Sequence, residues 1–414
     1  MNEDYIIRRA ESENDAKKLH DLFSQVFYPE DVGVFAETIF HHFPGIKKKY
    51  WFIAEEKRTG HIVSAFALIP WTWKFAGIKV NVAEMGIVGT QEKHRNRGLI
   101  RTLNIEFDKT IKEEGFDCAV IQGIAGFYHQ FGYYYAVPLE NHINLPPHLI
   151  PDQKNSDTYS FRLAGEKDIP FLMEQDTIYR SCYGISCLRG EAHWKYLLTN
   201  SRNTIYGSEF WIMEPGDGGD TYYFRVPGYG FGKGLIVSEC SESITPRAME
   251  SLLSFCKKKA IERKKPYIRV NLHNESTLGK MAISMGTEEG TPYAWQIKIQ
   301  DIPRFLIKIA TLFEKRLKDS CFRNFTGKLR LDFFKTKIDC LWEKGKLKAV
   351  TEAEGESEWI FHINTDLFPP LCLGHRTQKE LRTNRPDIFP NSGKCGLLID
   401  TIFPRMKSWI YEEY

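Results

Sequence analysis

Val88-Gly89-Thr90-Gln91-Glu92-Lys93-His94-Arg95-Asn96-Arg97-Gly98-Leu99-Ile100-Arg101-Thr102-Leu103 is the stretch whose reading decides the fold. It leaves a short apolar run, Met85 to Gly89, and crosses a polar, arginine-rich turn. It then enters a segment whose Ile100, Leu103, Phe107 and Ile111 share one face of a helix. Gly98 lets the backbone approach closely, and the first amides of the helix, which lack intrahelical partners, point at whatever lies before it. Such a turn binds phosphates, and Arg95, Arg97 and Arg101 add positive charge.

Upstream, Leu19, Leu22, Phe23, Val26 and Phe27 repeat at helical spacing behind a capping box of Ser12 and Asp15. An antiparallel meander is predicted next, with runs at Trp51 to Ala54, Ile62 to Leu68, Trp71 to Phe75 and, beyond a turn at Ala76-Gly77, Ile78 to Val82. Downstream of the helix come a strand at Cys118 to Ile121, the aromatic turn around Phe127-Tyr128, and a proline-marked boundary from Pro138 to Pro151. Tyr159 to Glu166 then echoes Tyr5 to Glu11, which hints at an internal duplication. The element order recurs: a helix over Ile169 to Arg180, strands near Phe210 to Met213, Tyr222 to Val226 and Gly234 to Val237, and a helix from Pro246 to Ala260. From Ile302 the pattern changes to one helix through Leu306, Ala310, Phe313 and Leu317, then strands at Leu329 to Leu331 and Ile338 to Trp342.

The chain has 414 residues, room for roughly three ordinary domains. Its 56 basic and 53 acidic residues balance too evenly for general nucleic-acid or membrane-surface binding. Nine cysteines without a C-x-x-C pair suggest reduced thiols and neither a disulfide framework nor a zinc site. The polar start and the absence of an apolar run near ~18 residues point to a cytoplasmic protein.

In its context, Arg95-Asn96-Arg97-Gly98-Leu99-Ile100 resembles the acetyl-CoA motif of GNAT-type N-acetyltransferases, with Ile100 where most members have Gly or Ala. One subfamily accepts a larger residue there. The segments FYHQFGY (Phe127 to Tyr133), GEAHWKYLL (Gly190 to Leu198), NTDLFPPLCLG (Asn364 to Gly374) and the closing LLIDTIFPRMKSWIYEEY are similar to that subfamily, the enhanced-intracellular-survival acetyltransferases.

The resemblance covers essentially the whole chain. It implies an α+β protein of two tandem GNAT-like units, each a mixed, splayed sheet with flanking helices, followed by a sterol-carrier-protein-like α+β domain. The expected divisions are 1–150, with the acetyl-CoA site, 151–300, a degenerate GNAT-like unit, and 301–414. The resemblance also implies homo-oligomers up to hexamers.

For the site, the resemblance implies that the backbone of Val88, Gly89 and Thr90 pairs with the acetyl-pantetheine arm, and that the turn from Arg95 and Asn96 through Arg97, Gly98, Leu99, Ile100 and Arg101 holds the pyrophosphate. Gly123 and Ile124 line the other wall, Tyr128 is the general acid, and the terminal carboxylate of Tyr414 is the general base. Acetyl-CoA is the co-substrate and a primary amine the acceptor: an aminoglycoside, a polyamine-like compound or a lysine side chain. Glu413 would help attract a cationic amine, and Glu30 and Asp31 would face the pocket mouth or only solvent. The second unit lacks a glycine between Val237 and Pro246, so one coenzyme site per chain is expected.

Other readings stay open. The aromatic tail would anchor the third domain without doing chemistry. The protein would be a non-catalytic lipid or acyl-CoA binder using the sterol-carrier-like domain. His41-His42 diverge on a helix and lack further ligands, so no metal is expected. His129 is expected to point away from the site, and Cys118, inside an apolar strand, to be buried and inert.

Overall fold

The protein is described by a computed structural model over residues 3–151, 159–216, 218–290, 292–411 and 414. The first unit runs β1 (Tyr5–Arg9), α1 (Glu13–Val26), α2 (Val32–His42), β2 (Trp51–Glu56), β3 (Ile62–Phe75), β4 (Ile78–Thr90), α3 (Leu99–Glu114), β5 (Cys118–Ile121), β6 (Tyr134–Pro138) and β7 (Ile143–Leu145). The second runs β8 (Tyr159–Leu163), α4 (Ile169–Cys182), β9 (Ile185–Cys187), α5 (Glu191–Leu198), β10 (Ser208–Pro215), β11 (Tyr222–Pro227), β12 (Leu235–Val237), β13 (Glu239–Cys240), α6 (Pro246–Glu262), β14 (Ile268–Val270), α7 (Thr277–Ser284) and β15 (Ala294–Lys298). The third runs α8 (Ile302–Lys308), α9 (Ala310–Lys318), β16 (Gly327–Asp332), β17 (Lys337–Glu343), β18 (Lys346–Glu352), β19 (Trp359–His362), α10 (Phe368–Cys372), α11 (Gln378–Asn384), β20 (Phe389–Pro390) and α12 (Gly393–Ile402).

The meander is longer and simpler than its sequence runs suggest. Ile62 to Leu68 and Trp71 to Phe75 form one strand, β3, which passes through Pro70. β2 ends its pairing at Ala67 and β9 begins at Trp73, so only β4 flanks Pro70, opposite Ala83, and no ladder bond is lost on the other side. Ala76 and Gly77 both take positive φ, the geometry a two-residue hairpin requires. The single helix expected from Ile302 is two, broken at Ile309 (φ −98°, ψ 11°), and no proline or glycine marks the break. Residues 32–42, unassigned by periodicity, form α2, with Asp31 capping the Val34 amide.

The first sheet has the order β1-β2-β3-β4-β5-β15-β6. The second is a smaller copy, β8-β10-β11-β13 continued by β12-β14-β7, because β12 and β13 adjoin across Ser238, whose amide bonds to the Arg225 carbonyl at 3.1 Å. The two exchange strands. β15, at the end of the second unit, pairs antiparallel with β5, while β7, at the end of the first, pairs antiparallel with β14. β9 adds to β3 as well.

The copies also share an ion-pair triad. Arg8 contacts Asp15 and Glu55, both at 2.6 Å, and Arg162 contacts Asp168 at 2.8 Å and Glu214 at 2.7 Å. In both, the glutamate lies opposite the residue two before the arginine, Ile6↔Glu55 and Ser160↔Glu214. The acid at the helix start reaches back to backbone amides: Asp15 to Glu11 (2.9 Å) and Ser12 (3.1 Å), Asp168 to Gly165 (2.9 Å). The sequence echo at Tyr5 and Tyr159 is therefore an echo in structure.

Side chains alternate across the first sheet. Phe66, Leu68, Met85, Ala119 and Ile121 pack on α3 through Leu99, Leu103, Phe107 and Ile111. Ile53, Ala65, Ile69, Val82 and Val120 face α1, α2 and the second unit. The third unit is an α+β layer with strand order β18-β17-β16-β19-β20. No helix among the described residues is long and apolar enough to cross a membrane.

Candidate active site

β4 and β5 run parallel only over Val82↔Cys118, Ala83↔Ala119 and Glu84↔Val120, although β4 continues to Thr90. Against β3, Ala67 lies opposite Gly86 but Ala65 opposite Gly89, so β4 carries one extra residue there. Ile87 takes φ 53° at this bulge. Bulges bend a strand and sharpen its twist, and here β4 leaves β5, opening a wedge. Among the described residues, no strand pairs with the β5-facing edge of Met85 to Thr90, which includes Val88, Gly89 and Thr90. That edge can accept an extended arm by strand addition.

At the wide end of the wedge, Asn96 (φ 60°) and Gly98 (φ 74°) both adopt left-handed conformations ahead of α3. No side chain caps this helix, and the space where a Gly98 Cβ would stand is empty. Open amides, open space and a helix N-terminus make an anion cradle. Arg95, Asn96, Arg97 and Arg101 are exposed around it, Ile100 is half-buried, and Leu99 points into the core so that only its backbone faces the turn. Arg95 Nε donates to the Thr90 carbonyl at 3.4 Å. Arg101 Nη2 donates to Gln130 Oε1 at 2.7 Å and its guanidinium lies 5.6 Å from the Phe131 ring, which ties α3 to the opposite wall. Arg97 borders a surface cleft of about 480 Å³ together with His94.

α6, the corresponding helix of the second unit, is different. Thr245 caps it by accepting from the Ala248 amide at 3.4 Å, and Pro246 has no N–H to offer. Its start satisfies itself and leaves less for an anion.

The opposite wall begins where β5 ends. The Tyr128 ring lies directly on Gly123: a Cβ there would stand 2.2 Å from Cδ2 and 2.4 Å from Cε2. The Gly123 carbonyl is held from behind by the Tyr293 hydroxyl (2.9 Å) and Gln296 Nε2 (2.7 Å), groups flanking or on the exchanged strand β15. Tyr128 is 6% exposed, and burial raises its phenol well above the ordinary value. Ile124 is 71% exposed beside it. His129 is exposed. Cys118 is buried, and burial lifts its thiol well above the ordinary range.

The chain end meets the first sheet on its other face. From α12 the chain returns across the second unit, where Trp409 N donates to the Ile185 carbonyl (3.1 Å) and Tyr411 stacks on Tyr179 at 4.0 Å. The Tyr414 ring then lies 5.4 Å from Phe35, 5.6 Å from Trp71 and 6.2 Å from Tyr206, and its carboxyl oxygen accepts from Arg225 Nη2 at 3.0 Å. Glu413 lies outside the described residues. Trp71 also donates its indole N–H to Glu84 at 2.6 Å. Glu84, 2% exposed at the point where β4 and β5 part, was missed by sequence reasoning; its signal was a lone carboxylate in the apolar run Val82 to Val88. Glu30 accepts from the Tyr229 hydroxyl at 2.6 Å, Asp31 caps α2, and His41 lies 3.5 Å from Glu13.

A parallel strand pair splayed by a bulge, with an uncapped glycine turn at its mouth, fits one family of sequences. Residues 7–136 match the acetyltransferase (GNAT) domain. This stretch is a GNAT acetyltransferase domain. GNAT domains use acetyl-CoA as co-substrate. No curated protein matches the chain significantly by sequence. In structure the whole chain is similar to a GCN5-related N-acetyltransferase from Anabaena variabilis, at TM-score 0.68 and 15% identity, covering 99% of this chain and 100% of that one. It is similar to a probable N-acyltransferase of Enterococcus faecalis, at 0.70 and 13%, with 99% and 100% covered. Eis1 from Mycobacterium abscessus aligns at 0.61 and 12%, again over 99% and 100%. At these identities the likeness is one of fold, and it extends over 99% of the chain.

Proposed function

We propose that the protein transfers acetyl from acetyl-CoA to a primary amine by direct attack within the first unit. One observation carries this: the open cradle at Gly98 and the buried Tyr128 face the same wedge, while the Tyr414 ring packs on Trp71 at the other face of the same sheet. Backbone of Val88 to Thr90 pairs with the pantetheine arm, and amides from Asn96 to Arg101 hold the pyrophosphate. The second unit, with its self-capped α6, shapes the acceptor side. The third, read as a sterol-carrier-like domain, brings the tail back to the sheet.

The amine nitrogen bonds to the thioester carbon, the C–S bond breaks, one proton leaves the nitrogen and one reaches the sulfur. An alkyl ammonium must first lose a proton, at about 4 kcal/mol near neutral pH. A carboxylate of pKa ~3.5 cannot take that proton outright, a transfer uphill by about 9 kcal/mol. Tyr414 therefore orients the amine and accepts the proton, directly or through a water, as attack makes the nitrogen acidic. The Val88 amide stabilises the carbonyl oxygen as it gains charge. Tyr128, with its raised phenol, serves the leaving thiolate mainly as a hydrogen-bond donor. Trp71 and Tyr206 give the acceptor side aromatic faces, which suit a cationic amine.

Removal of Tyr414 tests the reading. With kanamycin, spermidine and Nα-acetyl-lysine as acceptors, the shortened chain is expected to bind acetyl-CoA as before and lose at least 100-fold in kcat. Unchanged kcat would overturn the role of the carboxyl.

A further inference from the structure

The second unit buries an alternating row of charges that ends at the chain terminus. Asp176 contacts Arg180 and, at 3.2 Å, Arg189. Arg189 contacts Glu239 at 2.9 Å, and Glu239 contacts Arg225 at 2.9 Å. Arg225 Nη2 donates to the Tyr414 carboxyl oxygen at 3.0 Å. Asp176, Arg189 and Glu239 have no exposed side-chain surface and Arg225 has 1%. Ser208 accepts from Arg225 Nε at 2.7 Å, and the Tyr223 hydroxyl donates to Glu239 at 3.1 Å, so each charged head is fixed by at least two contacts.

Three carboxylates alternate with three arginines, and the third carboxylate is the one at Tyr414. Buried ion pairs rarely stabilise a fold more than apolar residues of the same volume would, so such a row is poorly explained as a stability device. It does fix the place of whatever stands at its end. Arg225 lies on β11 opposite Glu239 on β13, so its head is set by the sheet itself.

We propose that Arg225, seated by Glu239 and Arg189, is the positioning residue for the Tyr414 carboxyl, and that this is what the coenzyme-free second unit contributes to the reaction. The inference rests on the acetyltransferase reading above. Arg225 acts through Tyr414 and does not touch the reacting atoms.

The test is a double-mutant cycle with Arg225→Lys, which keeps the charge but cannot serve Ser208, Glu239 and Tyr414 together, and the chain lacking Tyr414. The acceptor among kanamycin, spermidine and Nα-acetyl-lysine that is acetylated fastest is the probe. Arg225→Lys is expected to lower kcat at least tenfold with the acetyl-CoA Kd within twofold, and to change kcat less than twofold once Tyr414 is absent. Equal losses in both backgrounds would overturn the proposal and leave the carboxyl's role standing; full activity without Tyr414 would overturn both. Carboxypeptidase A supplies a readout free of catalysis. Arg225→Lys is expected to release Tyr414 at least tenfold faster than the unaltered chain, and an unchanged release rate would contradict the positioning role. If Arg225→Lys does not fold, Ser208→Ala carries the same trimming comparison with a threefold acceleration expected and no acceleration contradicting it.

Discussion

Gly123→Ala is expected to slow the reaction by displacing Tyr128, without replacing any group that takes part in it. The new Cβ would stand 2.2 Å from Cδ2 and 2.4 Å from Cε2 of Tyr128, where ordinary contact begins near 3.4 Å. The ring must recede by about 1 Å, since Gly123 is pinned through its carbonyl by Tyr293 and Gln296. A hydroxyl displaced that far loses its hydrogen bond to the leaving sulfur, worth roughly 1.5–3 kcal/mol for a charged acceptor, so kcat should fall about 10- to 150-fold. The overpacking costs about 1–3 kcal/mol of stability, which leaves the chain folded. The assay compares kcat, acetyl-CoA Kd and Tm for Gly123→Ala, Tyr128→Phe and the double variant. The two kcat losses should not add, because both remove the same hydroxyl. A folded Gly123→Ala with unaltered kcat, or losses that multiply, would refute the seating of Tyr128 on Gly123.

Other expectations follow from the same geometry. Cys118→Ala should leave acetyl transfer within twofold, because the thiol is buried and its ionisation suppressed; lost transfer in a folded variant would point to a covalent route. A fragment of residues 1–150 should fail to unfold cooperatively by circular dichroism, because β9 and β15 complete its sheet from outside; a sharp transition would contradict the strand exchange. Asp15, although burial opposes its ionisation, is held at about 2 by Arg8 and the Glu11 and Ser12 amides. A depressed carboxyl stabilises the fold above its unfolded value near ~4 and loses that as pH falls towards about 2, a contribution of about 2 kcal/mol. The Tm gap between Asp15→Asn and the unaltered chain should thus be wide at pH 7 and close by pH 2; a constant gap would contradict it.

What could be read in the sequence was what is local. The turn at Arg95 to Gly98 announces itself because a left-handed glycine before an amphipathic helix is a short-range requirement, and the missing glycine before Pro246 was legible for the same reason. Strand exchange by β7 and β15 was not, because each is only three to five residues long and its partner lies more than a hundred residues away. The bulge at Ile87 hid for a similar cause: it appears only when β4 is counted against β3, whereas Glu84, a charge in mid-strand, made one strand look like two. Glu84 and Arg225 were visible as single charges within apolar strands, yet only the fold shows that both face the chain end through Trp71 and Tyr414. α2 was overlooked because its eleven residues include Gly33 and four β-branched positions, which weaken the helical signal that Phe35, Ile39 and Phe40 give.

The central claim is that one acetyl-CoA binds per chain, at the uncapped turn before α3. Calorimetric titration of acetyl-CoA into the protein and into Gly98→Asp tests it most directly. Gly98 faces empty space at φ 74°, so aspartate adds backbone strain and places a negative charge against the pyrophosphate, a penalty of about 2–3 kcal/mol or roughly 30- to 150-fold in Kd. One site per chain, weakened to that degree in the variant, is the predicted result; two sites, or a variant that binds as tightly as the unaltered protein, would contradict the account.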